Sequence, residues 1–231
     1  MKPVIVTDVR RPNKDLVEQI GSYSVATLHE AMGRSGLMFP YMRPIYPGAK
    51  AFGAAVTVLS HPGDNLMIHA SLDVCEPGDI VVVTTTSPST DGMFGELLAT
   101  SMKAHGVTGL ITEAGVRDVE ELAALQFPVW SRAISAQGTV KATPGCVNVP
   151  IVCAGVTVRP GDIIVADADG VVCVPQERAT EIALLAQARI EKEERTRTRL
   201  QSRELGLDIY GLREKLKAMG VIWVSQSEWE G

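Results

Sequence analysis

The chain has 231 residues, of which 45% are hydrophobic and 21% charged, proportions typical of a soluble globular protein. Its net charge of −5 argues against a nucleic-acid partner, because binding to phosphate groups requires a cationic surface. No apolar run approaches the roughly 20 residues of a membrane span, and the amino terminus lacks the apolar stretch of a signal peptide. We therefore expect a cytoplasmic protein that does not contact a membrane.

The predicted elements of the first half alternate between helix and strand. In chain order they are one or two helices in residues 12–33, a strand over 51–60, a short helix over 64–74, a strand over 80–85, a loop over 87–92, a helix over 95–105, a strand over 107–112, a tight turn over 113–116, a helix over 118–125 and a strand from 127. Ser24 is a plausible helix N-cap and Gly33 a helix stop. Strands followed by helices indicate an α/β fold with parallel strands.

From residue 138 the pattern changes to short apolar strands separated by turns. The predicted strands cover residues 149–152, 156–158, 163–166 and 171–174. The Asp169-Gly170 step is a strong hairpin signal. Cys153 and Cys173 lie among Val and Ile, and we expect both to be core residues because no cysteine has zinc-site spacing. Helices are predicted over 176–205 and 208–219, so we expect an α/β catalytic domain over 1–175 and a helical arm over 176–231.

Two short segments just beyond predicted parallel strands carry the chemistry. Ligands of open α/β sheets bind where the carboxyl ends of the strands meet. In the first segment Gly95 precedes a helix, whose amides at Leu97 and Leu98 would lack partners inside the helix and could receive a carboxylate. Gly95 would also allow a substrate to approach the backbone closely.

The second segment places Arg117 beside Asp118 at another helix start. Arginine can bind a carboxylate or a developing enolate oxygen with two parallel hydrogen bonds. A single carboxylate, completed by water and substrate oxygens, is a usual way to hold Mg²⁺. The alternative is structural: an Arg-Asp pair at a helix start is often a surface cation beside a capping acid, and Glu96 could simply favour its helix dipole.

The runs that contain these residues resemble a known family. They are GELLAT (95–100), EAGVRD (113–118) and FPVW (127–130), followed by PGD (160–162), DADGVV (167–172) and LGLDIYGLRE (205–214). They resemble the 4-hydroxy-4-methyl-2-oxoglutarate / 4-carboxy-4-hydroxy-2-oxoadipate aldolases, class II pyruvate aldolases of the superfamily named for the regulator of ribonuclease E activity A. The family pattern is an acid, twenty residues and Arg-Asp; here the acid is Glu96, where the family has the shorter Asp.

The resemblance implies a role for each matching residue. Asp118 would bind Mg²⁺ or Mn²⁺, Arg117 would contact the pyruvate moiety, and the backbone at Leu97 and Leu98 would hold the pyruvate carboxylate. The substrate would be a small 2-oxo acid of protocatechuate or gallate degradation, cleaved by a retro-aldol reaction. Oxaloacetate, which also gives pyruvate enolate, would be decarboxylated in the same site.

The resemblance also implies a shared site. Glu96 would order water on the metal, and a glutamate from a neighbouring subunit's arm, best matched by Glu193, would reach the same place. Alternatively, Glu193 belongs to a solvated helix face with ion pairs four residues apart. The implied fold is an α-β-β-α sandwich of the swivelling phosphohistidine-domain type, assembled as homotrimers or homohexamers.

Two other functions compete with this hypothesis. A Schiff-base aldolase would need a desolvated lysine, and none of Lys50, Lys103 and Lys141 lies in an evidently apolar strand. A non-catalytic regulator of ribonuclease activity would act by protein–protein contact. The shorter regulators lack the arm and do not keep an acid at the position of Asp118, which favours the enzyme.

Overall fold

The computed structural model describes residues 2–230. Twelve strands occur in this range: β1 (Val4–Ile5), β2 (Arg43–Pro44), β3 (Ala51–Ser60), β4 (Asp79–Thr85), β5 (Gly92–Phe94), β6 (Gly109–Val116), β7 (Val129–Ile134), β8 (Cys146–Val147), β9 (Ile151–Cys153), β10 (Val156–Val158), β11 (Ile163–Asp167) and β12 (Gly170–Val174). The α-helices of the same range are α1 (Lys14–Gly21), α2 (Val25–Ala31), α3 (Leu66–Ser71), α4 (Glu96–Ala104), α5 (Val119–Leu125), α6 (Ala179–Gln201), α7 (Gly206–Ile209), α8 (Leu212–Ala218) and α9 (Gln226–Trp229).

The centre of the fold is a mixed sheet of ten strands. Its main path runs β1-β8-β3-β4-β6-β7-β2; β5 joins β6, and the β11–β12 hairpin joins β3. Strands β3, β4, β6 and β7 are mutually parallel, so their carboxyl ends lie at one edge. Every residue of β4 except the last is buried, as expected for a parallel strand covered on both faces. The prediction of an α/β fold with parallel strands is confirmed.

Alternate residues of the parallel strands face two different cores. Val81 and Val83 of β4 pack in one core with α3, α4 and α5, whereas Ile80 and Val82 pack in another with β9 and β10. A third core joins α1, α2 and the first turns of α6 to β11 and β12. The predicted core cysteines Cys153 and Cys173 are both buried.

Local signals place several element ends where they were predicted. The Ser24 hydroxyl accepts a hydrogen bond from the Thr27 amide at 3.1 Å, which caps α2. Strands β11 and β12 form the hairpin predicted at Asp169-Gly170, with Asp167 paired to Gly170. The tight turn predicted over residues 113–116 is wrong: β6 continues to Val116, because its last residues pair with β5 instead of β4.

The described chain divides into two compact units, one ending at Ala186 and one beginning at Gln187. The boundary predicted from the sequence is at residue 175. The first unit extends further because the early side chains of α6, including Ile182 and Ala186, are buried in the third core. In the second unit α7, α8 and α9 bury none of their described residues. Within residues 2–230, no helix combines the length and the apolarity needed to cross a membrane.

Candidate active site

The ends of β5 and β6 bring the two predicted segments together. Gly95 follows β5 and is the N-cap of α4, and Arg117 and Asp118 follow β6. The Arg117 amide donates a hydrogen bond to the Phe94 carbonyl at 2.9 Å, so the two strand ends are tied by backbone. The convergence predicted from the carboxyl ends of parallel strands is therefore present.

The side chains of Arg117 and Asp118 meet over the first turn of α4. The Glu96 amide donates a hydrogen bond to Asp118 Oδ2 at 3.1 Å, and Arg117 Nε lies 3.7 Å from the same oxygen. The Arg117 and Asp118 side chains remain 44% and 39% exposed, so both can contact a ligand. A carboxylate at a helix N-terminus is stabilised by the free amides and the helix dipole. The Asp118 side chain makes no capping hydrogen bond on α5, so it is not the capping acid of the structural alternative; it accepts from the start of α4 and keeps an accessible carboxylate.

The backbone geometry at this point depends on two special positions. Asp118 has φ 57°, a left-handed conformation that Asp and Asn tolerate better than most residues. A Cβ added to Gly95 would lie 2.3 Å from Asp118 Oδ2 and 3.1 Å from Arg117 Cγ. The open space at Gly95, which we expected a substrate to use, is therefore bordered by these two side chains, and any larger residue would displace them.

A surface cleft of about 410 Å³ opens beside the pair. Its lining residues are Arg117, Asp118, Val119, Glu120, Glu121, Ile134, Ser135 and Ala136. These residues carry one cationic and three acidic side chains, so a substrate with several carboxylates requires additional positive charge there. Ile134 is 65% exposed and gives the cleft an apolar wall.

The first turn of α4 presents the other predicted residues. Glu96 Oε1 accepts a hydrogen bond from the Thr100 hydroxyl at 2.7 Å, which holds this carboxylate along the helix. The Leu97 side chain is 81% exposed, whereas that of Leu98 is buried in the core beneath α4. Leu98 can therefore contact a substrate only through its backbone.

Glu193 lies in the second unit, on the exposed part of α6. Its Oε1 is 2.8 Å from Arg189 Nε, an ion pair between residues four positions apart. The two side chains are about 40% exposed, so the pair has the geometry of a solvated helix face, the alternative role for Glu193. Glu193 also lines a cleft of about 410 Å³ with residues of its own unit, among them Lys192 and Tyr210.

A divalent metal would find a limited set of ligands in this site. Among residues 2–230, no three His, Cys, Asp or Glu side chains are grouped as a metal-binding set. Asp118 offers an accessible carboxylate beside an open cleft. A single carboxylate with remaining positions for water or substrate fits Mg²⁺ or Mn²⁺ and does not fit a structural zinc site.

A larger cleft, of about 600 Å³, lies at the opposite ends of the parallel strands. Its main cation, Arg11, is bound to Asp79 through Nε at 2.9 Å and Nη2 at 2.8 Å, and to Glu76 at 3.0 Å. The Asp79 carboxylate is buried, and this pairing joins the amino-terminal segment to the start of β4. Arg11 is therefore a structural residue, and the chemistry is better placed at the Arg117 cleft.

The segment that follows β7 also lines the site, although it was not predicted from the sequence. Ile134, Ser135 and Ala136 form one wall of the Arg117 cleft. The Ser135 amide donates a hydrogen bond to the Val116 carbonyl at 2.8 Å, which holds this wall against the end of β6. The rule that ligands bind at the carboxyl ends of parallel strands also covers β7, and applying it there would have identified these residues.

Comparison with known proteins identifies the family of this chain. A model of the RraA-like family, described as Aldolase/RraA, matches residues 25–173. A Halalkalibacterium halodurans protein with the name "Putative 4-hydroxy-4-methyl-2-oxoglutarate aldolase" is 30% identical over 184 residues, covering 78% of this chain and 88% of that protein.

Two solved structures extend the comparison. An uncharacterized protein from Pseudomonas syringae pv. tomato has a TM-score of 0.75 at 25% identity, covering 86% of this chain and 93% of that one. Streptomyces coelicolor RraAS2, described as an unusual member of the RNase ES inhibitor RraA protein family, has a TM-score of 0.74 at 28% identity, covering 82% and 99%. The chain belongs to the RraA-like (Aldolase/RraA) family.

Proposed function

We propose that this protein is a divalent-metal-dependent aldolase that releases pyruvate from a 4-hydroxy-2-oxo acid. The substrates would be 4-hydroxy-4-methyl-2-oxoglutarate, giving two pyruvates, and 4-carboxy-4-hydroxy-2-oxoadipate, giving pyruvate and oxaloacetate. Oxaloacetate decarboxylation would be a side activity. The observation that carries the proposal is the meeting of Arg117 and Asp118 over the first turn of α4.

Substrate binding would use the backbone amides of α4 and a divalent cation at Asp118. The amides of Leu97 and Leu98 are at the second and third positions of α4, where the helix offers them no carbonyl partner, and they would receive the substrate's 1-carboxylate. Asp118 would hold Mg²⁺ or Mn²⁺, which when bound supplies Lewis-acid polarisation of the 2-oxo group. The cation would also offset the excess of acidic side chains in the cleft.

The chain's own residues would stabilise the enolate charge and position the water that accepts the C4 hydroxyl proton. Loss of the proton from the C4 hydroxyl lets the C3–C4 bond break, and its electron pair becomes the enolate of pyruvate. Arg117 would neutralise the enolate oxygen, and protonation at C3 completes pyruvate. Glu96 and Glu193 would orient the water that takes the hydroxyl proton.

We further propose that Glu193 acts in a neighbouring subunit's site within a homotrimer or homohexamer. The three cores of the first unit support an α-β-β-α sandwich of the swivelling phosphohistidine-domain type. One core lies between two groups of strands, and the other two cores each join one of these groups to helices. The 55–58% exposure of Leu205, Tyr210 and Trp223 in the second unit supports burial of the arm in an oligomer.

The proposed reaction is tested by pyruvate release from the two purified substrates, followed with lactate dehydrogenase and NADH. We expect metal-dependent turnover of at least one, and the ratio of the two kcat/KM values identifies the preferred C4 substituent. A non-catalytic regulator, the function suggested by similarity to RraAS2, would release no pyruvate from either substrate. That result, obtained with folded protein and Mg²⁺ or Mn²⁺ present, would contradict the proposal.

Arg117→Lys tests the role of the guanidinium. Lysine keeps the positive charge but loses the planar arrangement of donors, so the change is not conservative at a site that binds two oxygens. We expect kcat to fall at least about tenfold, which corresponds to ~1.4 kcal/mol of transition-state stabilisation.

Arg178→Lys is the matched control for this variant. Arg178 forms an exposed ion pair with Glu181 at 3.1 Å, and the same chemical change there should leave kcat unaltered. Equal turnover of Arg117→Lys and Arg178→Lys would assign Arg117 to the surface instead of the site.

A further inference from the structure

Strand β6 changes its neighbour close to the candidate site. Its first half, up to Thr112, pairs with β4, whereas Gly115 and Val116 pair with β5. The register with β7 shifts between Thr112 and Gly115. An irregularity of this kind bends a strand and changes the direction of the side chains that follow it. Here Arg117 and Asp118 follow directly, so their placement depends on how this irregularity is held.

The carboxylate of Glu113 lies at the irregularity and contacts four other segments of the chain. Its Oε2 accepts hydrogen bonds from the Ala154 amide at 2.8 Å and the Thr84 hydroxyl at 3.2 Å. Its Oε1 accepts one from the Tyr41 hydroxyl at 2.6 Å and lies 3.8 Å from Arg132 Nη1. The Glu113 side chain is only 19% exposed, so these contacts are weakly screened by water.

The partners of Glu113 are themselves held in place. The Arg132 guanidinium lies 5.2 Å from the centre of the Tyr41 ring, a cation–π contact. Burial and the hydrogen bond to Glu113 raise the pKa of Tyr41 above its ordinary value, so its hydroxyl stays protonated over a wider pH range than that of a free tyrosine. The carboxylate thus accepts from fixed donors on both oxygens.

We propose that Glu113 is a positioning residue that sets the course of β6 and thereby places Arg117 and Asp118. The backbone after it has little freedom: the Gly115 amide donates to the Asp91 carbonyl at 2.9 Å, and a Cβ at Gly115 would lie 2.1 Å from the Thr90 carbonyl oxygen. Glu113 does not need to touch a substrate. The effect on turnover rests on the proposed function, whereas the effect on β6 does not.

Glu113→Gln is the test variant, because it keeps the size and one acceptor oxygen but removes the negative charge beside Arg132 and replaces the other acceptor oxygen with an NH₂ group. We expect hydrogen–deuterium exchange of the amides in residues 114–118, followed by mass spectrometry, to accelerate at least about tenfold, because their local opening becomes easier. We also expect kcat for pyruvate release to fall at least about tenfold, with a smaller change in KM.

Asp162→Asn is the control for a general loss of stability. Asp162 is also a buried carboxylate and accepts from the Arg159 amide at 2.8 Å and the Gln176 amide at 3.0 Å, in contacts that do not involve β6. Measured at the same interval below each variant's Tm, Asp162→Asn should leave both exchange in residues 114–118 and kcat near wild type. Tyr41→Phe, which removes one donor, should accelerate that exchange by a smaller factor, and it replaces Glu113→Gln if the latter does not fold.

Unchanged exchange in residues 114–118, or an equal acceleration in Asp162→Asn, would overturn the proposal. Accelerated exchange with an unchanged kcat in an active enzyme would also overturn it, because Glu113 would then hold β6 without serving the site. If the wild-type protein releases no pyruvate, the proposed function fails by itself, and the exchange comparison still decides whether Glu113 sets the course of β6.

Discussion

Exhaustive treatment with EDTA is expected to abolish pyruvate release, and Mg²⁺ or Mn²⁺ to restore it. Asp118 is an accessible carboxylate that lies beside Arg117 in the cleft, and the described residues contain no cluster of three potential metal ligands. A cation held by one protein carboxylate binds weakly and exchanges with solvent, so a chelator should remove it readily. The measurement is the initial rate before chelation, after it, and after titration with each metal.

Asp118→Asn connects this loss to one residue. Asparagine keeps an oxygen that can accept from the Glu96 amide, and it tolerates the left-handed backbone at φ 57°. It loses the negative charge that attracts a cation. We therefore expect a folded protein whose kcat/KM is lower by at least about a hundredfold, or about 2.7 kcal/mol, at a metal concentration that saturates the wild type.

Glu120→Gln is the matched control, because it removes the same charge from another acid that lines the same cleft. If that variant were as impaired as Asp118→Asn, the effect would reflect the cleft's overall charge and not metal binding by Asp118. Full activity after EDTA, with residual metal excluded by elemental analysis, would contradict the metal-dependent mechanism.

Much of the fold follows from local signals in the sequence. The apolar run of β4, the Ser24 cap and the Asp169-Gly170 hairpin each depend on residues close together in the chain. The short strands β1 and β8 were not predicted. Each has two residues, and they pair with each other across more than 140 positions, so no local pattern could indicate them.

The error at the end of β6 has a similar cause. Glycine is frequent in turns, and Gly115 close after the polar Glu113 suggested that the strand had ended. The strand continues because Glu113 finds donors in distant segments and Gly115 fits against the Thr90 carbonyl oxygen. Both contacts join residues that are far apart in the chain, so no pattern of neighbouring residues could indicate them.

The positions of Arg117 and Asp118 in the candidate site could be predicted from the sequence, but the contacts around them could not. Arg117 and Asp118 lie where the strand-end rule placed them. The contact between the Glu96 amide and the Asp118 carboxylate depends on the approach that Gly95 permits, and the sequence alone gave no distance for it. The contribution of Glu193 stays a prediction, because it concerns a contact between subunits.

Mixed oligomers of Asp118→Asn and Glu193→Gln are expected to recover activity that neither variant has alone. Glu193 belongs to a cluster of carboxylates with Glu191 and Glu194 on the part of α6 that lies in the second unit. That unit leaves Ile222 77% exposed and Trp229 81% exposed, which favours its burial against a neighbouring chain. In a closed ring with heterologous interfaces, each arm would meet the next subunit's cleft.

The experiment requires that each variant be strongly impaired alone. The two proteins are unfolded together in equal amounts and refolded, and mass measurement confirms that mixed oligomers form. If a site takes Asp118 from one chain and Glu193 from the next, random assembly leaves both residues intact in about a quarter of the sites, which sets the expected recovery. Separately refolded variants, mixed afterwards, provide the baseline.

A mixture of Asp118→Asn with Arg117→Lys is the matched control, because these two residues lie together in one chain. Every site in that mixture keeps one defect, so its activity should stay at the average of the two components. Rescue in the first mixture and none in the control would assign Glu193 to the neighbouring subunit's site. If mixed oligomers of Asp118→Asn and Glu193→Gln form but remain inactive, both residues act within one chain. Normal activity of Glu193→Gln alone would instead show that the Glu193 carboxylate serves only in its solvated ion pair with Arg189.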